Sequence, residues 1–123
     1  MDKGGRIDKQ ALGLAGLLAT TGLLHFATPG PFDMIVPRQL PGSPRTWTYL
    51  SGAAELAVAA AVAVPRTRRL GGLAAAALFV AVFPANVKMA VDWRHASPAR
   101  RAIAYGRLPL QLPLIAWARR VAR

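Results

Sequence analysis

LGGLAAAALFVAVFPANVKMAV, residues 70–91, decides how the rest of the chain is read. Its only amide or ionisable side chains are Asn86 and Lys88, and both follow Pro84. Such a run has the roughly 17 to 25 mostly apolar residues that a helix needs to cross hydrocarbon. Working outward, three further apolar runs cover residues 11–28, 49–64 and 103–118, each near the lower end of that range. Trp47, Tyr49, Trp93, Tyr105 and Trp117 stand near run ends, where amphipathic rings favour the membrane–water interface. The expected fold is all-α, a four-transmembrane-helix bundle forming one domain over residues 1–123. The expected location is the cell membrane, as an integral, multi-pass protein with the lipid bilayer as solvent.

Composition points the same way. The 123 residues are 54% hydrophobic and carry a net charge of +11, but the basic residues sit between the apolar runs and at the termini. That distribution argues against nucleic acid as a partner and for membrane orientation. Lys3, Arg6, Lys9, Arg66, Arg68, Arg69, Arg119, Arg120 and Arg123 fall on one side of four spans; Arg38, Arg45, Arg94, Arg100 and Arg101 fall on the other. Nine against five places both termini in the cytoplasm by the positive-inside rule. The first run has a positive flank but no small-residue cleavage pattern after it, so it reads as a retained helix. There is no cysteine, which excludes a dithiol redox centre or a thiolate metal site. No metal site is expected.

Each run carries polar groups that lipid tolerates poorly: His25, Glu55, Asn86 or Lys88, and Arg107 with Gln111. Such residues usually face a bundle interior or a water-filled cavity, so their similar depth marks a candidate ligand-binding or buried polar cluster of His25, Glu55, Asn86, Arg107 and Gln111. Glu55 lies eight residues in from Trp47, or roughly 12 Å at the helical rise, too deep to snorkel. It is either protonated or ionised and paired, with Arg107 the preferred partner and Lys88 the alternative. Asn86 and Lys88 point about 200° apart on a helix, so Asn86 is expected inside and Lys88 outside near Asp92. Thr21 and His25 share a face of the first span. His25 can serve as hydrogen-bond partner, proton carrier or ligand to a quinone or metal, or be an interfacial histidine satisfied by backbone or water. His95, in a polar loop, is expected to be solvated.

Pro84 is expected to kink the third span, and Pro109 and Pro113 to bend the fourth. Between the first two spans, a proline-rich outer loop with Pro29, Pro31, Pro37, Pro41 and Pro44 excludes a long helix. Its FDMIVP segment is too apolar for a solvated loop and is expected to cap the bundle or cover a ligand. Gly13, Gly16, Gly22, Ala15 and Ala19 permit close helix contact within the chain or in a homo-oligomer.

The segments HFATPGPFDMIVPRQLPG, TYLSGAAELAV, PRTRR, VFPANVKMAVD and RLPLQLPLIAWA, taken in order over nearly the whole chain, resemble the DoxX-like family of small membrane proteins. That resemblance implies a four-helix integral membrane protein and an accessory subunit tied to a redox or oxidative-stress complex. It carries no catalytic set onto particular residues. Two functions follow as expectations. In the first, a polar outer-leaflet pocket binds a quinone-like small molecule while a membrane or redox partner protein supplies the electrons, so the chain is not an enzyme on its own. In the second, the chain is a non-enzymatic assembly or stabilisation partner of another membrane complex. A pocket requires open space beside Glu55 and Arg107; an assembly partner requires those side chains to satisfy one another.

Overall fold

The computed structural model describes residues 8–123, which are all-α with no strand among them. Lys3 and Arg6 lie outside the described residues. The helices are α1 (Lys9–Ala27), α2 (Pro29–Asp33), α3 (Pro44–Ala63), α4 (Arg68–Ala81), α5 (Phe83–Asp92) and α6 (Pro98–Val121). Local chemistry sets these limits. Asp8 accepts from the Ala11 amide, Ser43 from Thr46 and Ser97 from Arg100, while Pro44 and Pro98 open their helices. Those caps start α3 and α6 earlier than the apolar runs alone indicate. The 70–91 run divides at Val82, because Pro84 has no N–H to give to the Val80 carbonyl. By contrast, α6 stays helical through Pro109 and Pro113.

The four long segments run antiparallel. At one end Arg68 donates to the Val62 and Ala63 carbonyls and lies 3.9 Å from Asp8, and Trp117 donates to the Gln10 carbonyl at 3.0 Å. The start of α1, end of α3, start of α4 and end of α6 are therefore gathered there. A Cβ on Gly72 would stand 2.6 Å from the Ala122 amide nitrogen, so α4 and α6 meet backbone to backbone at this end. The larger core cluster fills this half, built from Leu14, Leu18, Val62 and Phe79 around many alanines. Met89, Ala90 and Ala104 form a smaller one in the other half.

Alanines make up more than half of the buried apolar residues, while many large apolar ones face out. Ala11, Ala75, Ala104 and Ala118 are fully enclosed, whereas Leu70 and Leu112 are each 72% exposed and Leu23 is 58% exposed. Helices packed through small residues with leucine outward suit a lipid solvent, in which close packing holds helices together. Lys9–Ala27 and Arg68–Asp92 are each long and apolar enough to cross a membrane.

At the opposite end, α2 and the proline-rich turn fold over the bundle. Asp33 accepts from the Thr48 hydroxyl at 2.6 Å and from Arg45 Nε at 2.8 Å, tying α2 to α3. The Thr48 bond, supported by Arg45, holds the Asp33 carboxyl below the usual carboxylate range against the opposing effect of burial. A depressed folded-state value contributes stability above the unfolded value, about 3.9, and loses it as pH falls through the folded one. Asp33→Asn is therefore expected to flatten the acid limb of detergent melting curves below about pH 4. Parallel acid limbs for both proteins would contradict the tie.

Candidate functional site

The site begins where α1 and α3 touch. A Cβ on Gly52 would stand 2.7 Å from His25 Cβ, 2.8 Å from Phe26 Cε2 and 3.1 Å from the Gly22 carbonyl oxygen, so only glycine permits this approach. One turn along α3, Glu55 is brought against α1. The Thr21 hydroxyl donates to Glu55 Oε1 at 2.7 Å, and His25 Nδ1 lies 3.1 Å from Glu55 Oε2. The same nitrogen is 2.6 Å from the Thr21 carbonyl oxygen. A carbonyl only accepts, so Nδ1 carries a hydrogen in either charge state of the ring. Phe32 of α2 stacks on the imidazole, with centroids 3.9 Å apart and planes 19° from parallel.

The expected Glu55–Arg107 pair does not form. The Gly22–Gly52 contact turns Glu55 toward α1, where Oε1 accepts from Thr21 and Oε2 lies 3.1 Å from His25 Nδ1 without a hydrogen bond of its own, leaving α6 on the far side of an open space. Lys88, the alternative partner, points elsewhere: its ammonium bonds Asp92 and donates to the Met34 carbonyl at 2.9 Å, anchoring the outer turn. Asn86 is buried on the inner side of α5, and His95 is exposed.

The space between is a cavity of about 480 Å³, which His25, Glu55, Asn86, Arg107 and Gln111 all line together with Thr21. Leu17, Phe79 and Leu114 form its apolar inner wall; Phe32 and Ile35 close its outer end. Ile103 and Leu110 also line it while being 56% and 52% exposed, which places its mouth on the outward side of α6. The polar groups on the far wall are underused. Among the described residues Arg107 pairs with no carboxylate. Gln111 is 6% exposed with its Oε1 lacking a hydrogen-bond partner, and Asn86 is 2% exposed. Unsatisfied polar groups this deep are costly unless something else supplies the bonds.

Sequence reading placed Thr21 beside His25 and singled out the FDMIVP segment as a cap or cover, but it did not assign Thr21 to Glu55, Phe32 to His25 or Asp33 to Thr48. Thr21 is legible only through its four-residue spacing from His25. Phe32 and the Asp33 tie lie in a segment whose fold depends on contacts distant in sequence, so no local pattern exposes them.

The model of a family described as Domain of unknown function (DUF8561) matches residues 14–122, nearly the whole chain. The chain belongs to that family. This overturns the DoxX-like assignment, since an order of apolar runs, prolines and basic turns does not discriminate between families of small helical proteins. The DUF8561 description assigns no activity, and no curated protein and no solved structure matches the chain.

Proposed function

We propose that this DUF8561 protein is a multi-pass integral membrane protein whose outer-half cavity binds a lipid-soluble small molecule with a polar head, without being an enzyme on its own. The observation carrying this reading is the cavity itself, apolar on its inner wall and faced by Arg107, which pairs with no carboxylate among the described residues, and by the amides of Asn86 and Gln111, the latter with its Oε1 lacking a hydrogen-bond partner. Four spans follow by taking α1, α3, α4 with α5, and α6 as the crossings. Their antiparallel order puts Lys9, Arg66, Arg68, Arg69, Arg119, Arg120 and Arg123 at one end, which we assign to the cytoplasm. A volume of about 480 Å³ lies within the roughly 300 to 1,000 Å³ of small-ligand pockets. A quinone-like head group is one chemistry that fits, its carbonyls accepting from Arg107. The tie to a redox assembly rested on the DoxX-like resemblance and falls with it.

A second reading, the assembly partner, finds support in the exposed apolar faces of α1 and α6. It predicts mutual satisfaction of the inward polar groups, which the Arg107 and Gln111 side chains do not achieve among the described residues. Native mass spectrometry of the chain released from mild detergent separates the two. A stoichiometric small-molecule adduct that survives purification is expected; a persistent protein partner with an adduct-free chain would overturn the binding reading.

A further inference from the structure

Resting on the cavity reading above, we infer that the ligand is a single-chain amphiphile with a monoanionic carboxylate head, held by Arg107 with the Asn86 and Gln111 amides, its chain lying against Leu17, Phe79 and Leu114. The titratable side chains lining the cavity are those of Arg107, Glu55 and His25. On the opposite wall Glu55 accepts from Thr21 at Oε1 and stands 3.1 Å from His25 Nδ1 at Oε2, which accepts no hydrogen bond, whereas no carboxylate lies in contact with the guanidinium among the described residues. A guanidinium stays protonated, and an uncompensated one at this depth is costly. One negative head group cancels it.

A carboxylate suits the place better than a phosphate monoester. Its planar pair of oxygens matches the guanidinium fork, and a dianion would bring a second negative charge near Glu55, where the other basic side chain of the cavity, His25, is already turned to the Thr21 carbonyl and Glu55. Asn86 is 2% exposed and Gln111 6% exposed, and both line the same space. Their amide N–H groups can complete the oxygen's bonds, with the Gln111 amide oriented by the ligand. Beyond the head group the wall is hydrocarbon, and the mouth at Ile103 and Leu110 opens on the α6 face that would meet acyl chains. A ligand dissolved in the outer leaflet could then enter sideways, tail still in lipid.

The test uses the full chain in nanodiscs of neutral phospholipid, with oleate, oleyl alcohol and a short-chain ubiquinone as probes and affinity read by displacement of a spin-labelled stearate or by calorimetry. Oleate is expected to bind, with oleyl alcohol and the quinone at least tenfold weaker. Arg107→Gln should remove that preference while retaining the weak binding of the alcohol. Arg107→Lys should restore part of it, since an ammonium supplies the charge without the fork. Because Arg107→Gln could disturb folding, its melting temperature and helix content are compared with those of the parent, and Leu114→Trp, which fills the apolar wall and leaves the head group alone, serves as a second variant expected to weaken all three probes. If oleyl alcohol or quinone binds as tightly as oleate, or Arg107→Gln leaves oleate affinity unchanged, the carboxylate assignment is overturned and the cavity reading stands. If no probe binds and Leu114→Trp changes nothing, the cavity reading itself fails.

Discussion

Glu55→Ala is expected to lower the stability of the bundle in detergent by about 3 to 5 kcal/mol, the usual loss when one partner of a buried pair is removed. The carboxylate is the joint between α1 and α3: it accepts from Thr21 at 2.7 Å and faces His25 at 3.1 Å, with side-chain exposures of 11% for His25 and 12% for Glu55. Without it, His25 keeps only the Thr21 carbonyl and the Phe32 ring as close partners. Glu55→Gln, which can still accept from Thr21, should cost less than Glu55→Ala. The pairing is isolated by a cycle with His25→Ala, in which coupling on the order of 0.5 to 3 kcal/mol marks two residues in direct contact. Strict additivity in that cycle would mean that the two side chains do not meet.

Gly52→Val is the second large effect. The added carbons have no space, because even a single Cβ would approach His25 and Phe26 to within 2.7 and 2.8 Å, and what must yield is the separation of two helices. Overpacking of this kind costs roughly 1 to 3 kcal/mol, and here it also pulls Thr21 and His25 away from Glu55. The variant is therefore expected to melt lower and to lose any co-purifying ligand together. Gly16→Ala is the matched control on α1, since nothing lies within 4 Å of the position its Cβ would take; it should stay within about 0.5 kcal/mol of the parent. Equal effects of the two substitutions would remove the claim that the α1–α3 crossing is set by glycine.

What could be read in advance divides along physical lines. Helix positions were legible because apolar runs and their boundary prolines act locally, and the break beside Pro84 follows from a missing donor. His25, Glu55, Asn86, Arg107 and Gln111 could be grouped in advance because depth and face can be counted along a helix; the structure lines one cavity with them, and a ligand there is the proposal made above. The partner of Glu55 could not be read this way. That choice depends on which two helices approach most closely, and the deciding feature, Gly22 opposite Gly52, is a relation between segments that no single run displays. Long-range contacts likewise govern the outer loop, where Phe32 reaches His25 and Asp33 reaches Thr48. Family membership was misread because generic features, apolar runs broken by prolines and basic turns, outweighed any motif that discriminates.

The central claim is that hydrophilic groups from separate membrane crossings surround one cavity inside a lipid-embedded bundle. The chain has no cysteine, so nitroxide labels can be placed one at a time at Asn86, Gln111 and Leu112 and followed by electron paramagnetic resonance in liposomes. Leu112 is 72% exposed and its label should move freely, relax strongly with oxygen and ignore a water-soluble nickel chelate. Labels at Asn86 and Gln111 should be slow and shielded from both reagents. A Gln111 label as mobile and oxygen-accessible as the one at Leu112, or a Leu112 label relaxed by the nickel chelate, would contradict the account.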